Sequence, residues 1–200
     1  CEYFYDKIGD LAFKKKDIDT TAECYRKVLE VNPLNREVLV KFATILQNYY
    51  PENTSETIDC YEKLLEFGID KAQIYYELGH LYMGKDDKLN SISAFKLAVN
   101  EEPENPFFNN SLGYAYARAE LYDDAIEHYQ KAISINPDPE WTSIVCQALG
   151  SIYAGEKGNI EAAVSTYQAG LILDEKNYDL YIALGDTYMA DYDLDNAIRS

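Results

Sequence analysis

Ile74-Tyr75-Tyr76-Glu77-Leu78-Gly79-His80-Leu81-Tyr82 has the spacing of a helix: residues 75, 78, 79 and 82 share one face, and 76, 80 and 83 share an adjoining one. A glycine in the middle of such a helix needs a reason, because it costs about 1 kcal/mol relative to alanine. The same glycine returns as Gly9, Gly113, Gly150 and Gly185, each directly after an apolar residue and three residues before Tyr or Ala. From Gly79 to Gly113 is 34 residues, to Gly150 a further 37 and to Gly185 a further 35, with Ala43 in the slot between Gly9 and Gly79. Pro103 and Pro137 are again 34 apart. A period of this size marks an array of small units, each burying its apolar face against its neighbours.

Working outward, Ser91, Phe95 and Ala98 share a second helical face, so each unit is a pair of amphipathic helices. Lys85-Asp86-Asp87, Leu121-Tyr122-Asp123-Asp124, Gly158-Asn159 and Asp191-Tyr192-Asp193 supply the residues that stop one helix and cap the next. Asn-Pro at 32-33 and 136-137 and Glu-Pro at 102-103 end the second helices, since a residue before proline is pushed out of the α region. The repeated glycine then marks a close crossing of the two helices, with small Ser91, Ala125, Ala163 and Ala197 opposite it. Phe95, Tyr129 and Tyr167, in the register of Tyr25 and Tyr61, are expected to plug the space between adjacent units.

The 35 acidic against 18 basic residues give a formal charge of -17, which repels phosphate backbones and anionic lipid and argues against nucleic acid as a partner. Segment 1-34 carries 7 acids and 6 bases, whereas 106-142 carries 6 acids and 2 bases. The basic run Lys14-Lys15-Lys16 reads as a solvated helix end whose charges suit the C-terminal dipole. No stretch approaches the roughly 20 apolar residues of a membrane span, so direct insertion is not expected. Cysteines 1, 24, 60 and 146 form no C-x-x-C pair, the pattern of free thiols in a reducing compartment such as the cytoplasm. The chain starts at Cys1 inside a helical pattern, as a piece of a longer polypeptide would; a processed bacterial lipoprotein also starts with Cys, but a flexible linker is expected next.

Catalytic chemistry has little material. Only His80 and His128 exist, too few for a Ser-His-Asp triad or a His-rich metal site, and His128 beside Glu127 reads as a solvated outer-helix residue. Asp191-Tyr192-Asp193-Leu194-Asp195 imitates the start of a calcium loop, but Asn196 stands where that loop needs glycine. Ser93-Ala94-Phe95-Lys96 lacks any supporting motif, and the glycosylation pattern Asn109-Asn110-Ser111 lies inside a helix. No cofactor and no metal are expected.

Leu112-Gly113, Tyr116, Ala125, Tyr129, Ala132 and Pro137 resemble the tetratricopeptide repeat family, as do Leu78-Gly79, Tyr82, Phe95, Ala98 and Pro103. The resemblance covers essentially the whole chain as one array, in units of about 1-34, 35-71, 72-105, 106-142 and 143-177, with a partial unit 178-200. Segment 35-71 departs from it with Ala43 for the glycine, Ile69 for the proline and a longer inner turn, Tyr49-Tyr50-Pro51-Glu52-Asn53. Segment 143-177 lacks the terminal proline, and the preceding Glu140-Trp141-Thr142 is expected to lengthen its first helix. The resemblance implies an all-α, right-handed αα-solenoid, with first helices on the concave side and second helices on the convex side.

The face beside the packed one then becomes the candidate site: Tyr76, His80 and Met83; Phe107, Asn110, Tyr114 and Arg118; Ile144, Gln147 and Ser151; Asp179, Ile182 and Asp186. Rings, amides and one arginine stand there instead of the lysine and glutamate of an idle surface. Nine of them are the partner-binding candidates: Tyr76, His80, Met83, Phe107, Asn110, Tyr114, Arg118, Gln147 and Ser151. Relatives that clamp a chaperone's C-terminal carboxylate carry lysine and asparagine where Asp6 and Asp10 stand, so that clamp is absent. The expected function is a non-catalytic scaffold holding a protein or peptide, basic in character, in the groove of segments 72-160. Two alternatives stay open: a substrate-recruiting arm of a larger enzyme, and an element that self-associates through 178-200.

Overall fold

The computed structural model describes residues 2–135 and 138–191, and among these every regular element is helical. Contacts group the chain into two compact units, Cys1–Ala94 and Phe95–Ser200, with the boundary inside the sixth helix. The first unit contains α1 (Glu2–Lys14), α2 (Ile18–Val31), α3 (Arg36–Tyr49), α4 (Thr54–Leu65), α5 (Lys71–Gly84) and the start of α6 (Lys88–Glu101). The second contains the rest of α6, then α7 (Pro106–Arg118), α8 (Tyr122–Ile135), α9 (Pro139–Ser151), a π-helical turn Ile152–Glu156, α10 (Ile160–Leu173) and α11 (Tyr178–Ala190).

Of the turn residues that the sequence singles out, Asn159 caps α10 through its side-chain oxygen, accepting from Ala162 at 3.0 Å, and three asparagines outside that set act alike. Asn35, Asn105 and Asn177 each cap a first helix through the side-chain oxygen, accepting from Val38, from Phe107 and Phe108, and from Leu180 respectively. Between first and second helices the chain turns through a residue in the left-handed region, at Lys16, Asp86 and Glu120 (φ 62, 57 and 63°). The inner turn of segment 35-71 runs over four residues, 50–53, against three in 15–17, 85–87 and 119–121. Trp141 and Thr142 lie inside α9, whose course runs on through the π turn to Glu156, so the first helix there is longer. Asn136, Pro137, Asp193 and Ala197 lie outside the described residues, as does Cys1.

The repeated glycines mark a closer approach than small-against-small packing. A Cβ on Gly9 would stand 2.6 Å from the Tyr25 ring, and one on Gly113 3.0 Å from the Tyr129 ring and 3.2 Å from the Ala125 carbonyl. A Cβ on Gly150 would run into the Tyr167 ring at Cε1. The tyrosines assigned to the space between units therefore lie over the glycine of their own hairpin. Tyr25, Tyr129 and Tyr167 are almost fully buried as a result. Where Ser91 faces Gly79, its hydroxyl donates to the Gly79 carbonyl at 3.0 Å, which only a close crossing permits.

The core of the first unit gathers Val28, Leu39, Phe42, Leu46 and Leu64, joined by Ile74 and Leu78 of α5. In the second unit Ala163, Tyr167, Leu180 and Leu184 form a cluster between α10 and α11. Cys24, Cys60 and Cys146 are buried free thiols, and burial pushes the Cys60 thiol up to about 12, which keeps it protonated and unreactive.

Candidate partner-binding face

In the first unit the expected site residues lie along α5. Tyr76 and Met83 are half-buried, His80 is open to solvent on one side, and the Tyr76 ring meets the imidazole edge-on at 4.6 Å between centroids. Desolvation by this crowding holds the His80 pKa below the ordinary histidine value, against the opposing charge of Glu77. The imidazole is thus a neutral hydrogen-bonding group at pH 7.

In the second unit the face is spread over α7 and α9. Phe107 is 51% exposed and Tyr114 45%, with Asn110 half-buried between them and Arg118 exposed one turn beyond Tyr114. Gln147 is half-buried on α9. Ser151 is exposed, but its hydroxyl donates to the Gln147 carbonyl at 2.8 Å and accepts from Tyr167 at 3.3 Å. One further residue, Trp141, belongs to this face, and Ile144, which the sequence places on it outside the nine candidates, is exposed there. Trp141 packs edge-on against Phe107 at 5.6 Å, and Ile144, one turn on, is 58% exposed. The spacing 141, 144, 147, 151 places Trp141 on the same stripe as Gln147, a signal that the unit boundary at 142 hid.

His128 is not the solvated residue its neighbour Glu127 implied. The ring is half-buried, stacks on Tyr116 at 5.6 Å and lies 3.2 Å through Nδ1 from Oδ1 of Asn109. The Asn109 amide donates to the carbonyls of Pro103 and Asn105 at 2.9 and 3.0 Å, which fixes its orientation. Its oxygen must therefore accept, and His128 carries its hydrogen on Nδ1. Asn109 is completely buried, so it holds the entry to α7 in place and cannot serve as a glycan acceptor.

Asp6 and Asp10, at the positions the carboxylate clamp would use, grip a lysine of the chain itself. Lys41 Nζ lies 3.1 Å from Asp6, 2.9 Å from Asp10 and 2.7 Å from Glu37, and Tyr25 donates to Asp10 at 2.8 Å. Desolvation pushes the Asp10 pKa up, but the hydrogen bonds from Lys41 and Tyr25 outweigh it and hold the carboxyl below its ordinary value. The polarity is the reverse of a carboxylate receptor.

Family profiles described as Tetratricopeptide repeat match residues 3–33, 72–105 and 144–177, and a further one matches 109–139. The chain belongs to the tetratricopeptide repeat family. It is similar to the general transcriptional corepressor ssn6 of Schizosaccharomyces pombe, 29% identical over 136 residues, which is 67% of this chain and 12% of that protein. Among solved structures, a crystal structure of MamA protein is 30% identical with a TM-score of 0.74, covering 88% of this chain and 93% of that one. YrrB, a TPR protein described as having an unusual peptide-binding site, is 23% identical with a TM-score of 0.68, covering 89% of each chain, and its likeness is one of fold. The helical repeat solenoid is therefore the fold class of this chain, and the family points to a protein-interaction scaffold. No described helix is long and apolar enough to cross a membrane.

Proposed function

We propose that the chain is a non-catalytic scaffold whose first helices hold an extended peptide or partner helix, through Tyr76, His80, Met83, Phe107, Asn110, Tyr114, Arg118, Gln147 and Ser151, with Trp141 and Ile144 added. The observation that carries this reading is that large apolar side chains at Phe107, Tyr114 and Ile144 stay exposed beside half-buried amides at Asn110 and Gln147. Apolar area with adjacent, orientable amides is what recognition of a peptide side chain and its backbone requires. With a formal charge of -17, the scaffold favours a basic partner, whose encounter rate falls with salt while the face sets residence time.

The test is partner affinity. Tyr114→Ala combined with Asn110→Ala removes one anchor and one amide and is expected to cost about 2 kcal/mol or more, roughly thirtyfold, with helical circular dichroism retained. Unchanged affinity for the captured partner overturns the face. A second reading, self-association through 178-200, is favoured by Tyr178, Ile182 and Met189, which stand exposed along α11. A mass that rises with concentration supports it, and a strictly monomeric chain at high concentration removes it.

A further inference from the structure

Segment 35-71 is the irregular unit, and its irregularity shapes a cleft within the first unit. Ile69 stands where Pro33 and Pro103 end other second helices, and the link from α4 to α5 turns instead through Gly68 (φ 68°) and Asp70 (φ 52°). This brings Phe67 and Ile69 opposite Val40 of α3 as walls, over a floor of Tyr61, Leu64 and Ile74. The walls are open to solvent, Val40 at 49% and Ile69 at 44%.

The size of the cleft narrows the choice of occupant. Its volume is about 180 Å³. Small-molecule pockets run from about 300 Å³ upward, whereas a cavity of about 150 Å³ takes one benzene. One aromatic or large aliphatic side chain fills it.

Chemistry at the rim narrows it further. Glu77 Oε1 accepts from Gln73 at 2.7 Å and Oε2 accepts from Gln47 at 2.8 Å, and the Gln47 oxygen accepts from the Tyr61 hydroxyl at 2.9 Å. Neutral donors therefore aim this carboxylate without cancelling its charge, and among the described residues no ion pair involves it. Asp70 adds a second acid to the rim against the single base Arg36. A carboxylate held in place by amides at the mouth of an apolar cleft is complementary to a cation carried beside an apolar side chain.

We propose that this cleft is a second docking site, taking one leucine-sized or aromatic side chain of a partner peptide with an adjacent lysine or arginine on Glu77. It is formed wholly by residues of the first unit, on α3, α4, the α4–α5 link and α5, and stands if Tyr114 and Asn110 do not bind the partner. The probe is an acetylated, amidated octapeptide of glycine and serine with a central leucine-arginine pair, titrated to about 5 mM into the isotope-labelled full chain by NMR. Saturable shifts are expected in amides of residues 36–77. An alanine-arginine peptide should bind about tenfold more weakly and a leucine-glutamate peptide several-fold more weakly. Val40→Asp, at an exposed wall, should abolish the shifts, and Glu77→Gln should remove the preference for arginine while keeping that for leucine. No saturable shift, equal shifts from all three peptides, or shifts confined to residues outside 36–77 overturn the proposal. Shifts at Asn110 and Tyr114 alone would support the other face and count against this cleft.

Discussion

Replacing Gly150 by alanine separates a packing role for the mid-helix glycine from mere tolerance of it. The new Cβ would lie 2.6 Å from Tyr167 Cδ1 and 2.8 Å from Cζ, distances that force the ring to move. That ring is almost fully buried beside Ala163, and its hydroxyl is tied to Ser151, so it has nowhere inexpensive to go. Overpacking of this kind costs about 1 to 3 kcal/mol, while the helix gains about 0.5 to 1 kcal/mol on losing glycine. The two ranges leave a net destabilisation centred on about 1 kcal/mol and reaching about 2.5 kcal/mol. Gly155, in the same unit, has nothing within 4 Å of its would-be Cβ. Gly155→Ala should therefore stabilise by about 0.4 to 1 kcal/mol through the unfolded chain. Urea unfolding followed by circular dichroism reads both, because a urea slope of about 1–3 kcal/mol per molar turns such differences into resolvable midpoint shifts of opposite sign. A Gly150→Ala midpoint at or above wild type would refute the close crossing.

Further outcomes follow from other contacts. Gly113→Leu should lower stability by about 1 to 3 kcal/mol, read as a lower unfolding midpoint, since the ring of Tyr129 and a backbone carbonyl both border the site; an unchanged midpoint contradicts this. Asn109→Ala leaves two backbone carbonyls and a histidine without their partner in the core and should cost about 2 to 4 kcal/mol, read in the same assay. Burial holds the His128 pKa below its ordinary value, so the unfolded chain takes up this proton first. Its contribution therefore weakens stability as pH falls below about 6.5 toward the depressed folded value; His128→Gln should flatten midpoint against pH in that interval. Asp10 acts in the same direction at lower pH: its folded pKa is lowered, so its stabilisation is full above about 3.9 and is lost as pH falls through the folded value. Lys41→Met should weaken that acid-range dependence, leaving the part held by the Tyr25 hydrogen bond.

Much of the fold was legible because period and backbone chemistry are local. The glycine register, the turn residues and the prolines locate the described helices, and a longer inner turn in segment 35-71 is visible in Tyr49-Tyr50-Pro51-Glu52-Asn53, although Tyr49 still belongs to α3. What lies over a glycine is not local. Small residues do stand opposite some of the glycines, Ser91 at Gly79 and Ala125 at Gly113, but Tyr129 and Tyr167, one turn further along the second helix, also cover Gly113 and Gly150, because a tyrosine ring reaches back over the preceding turn. His128 was misread for a related reason. Its neighbour in sequence is Glu127, but its neighbours in space are Asn109 and Tyr116, about ten to twenty residues away. The cleft under Ile69 depends on how a proline-free link turns, which the missing proline announces without specifying the geometry. Lys41 similarly reaches Asp6 and Asp10 from the next first helix, a pairing that residue spacing within one helix cannot reveal.

The most direct measurement is hydrogen exchange of the full chain with and without its captured partner, read by mass spectrometry across both helices of each hairpin. Scaffolding by the first helices predicts added protection in α5, α7 and α9, centred on Tyr76, Asn110, Tyr114 and Gln147, with α8 and α10 unchanged. Protection confined to α8 and α10, or to none of these helices, would contradict it.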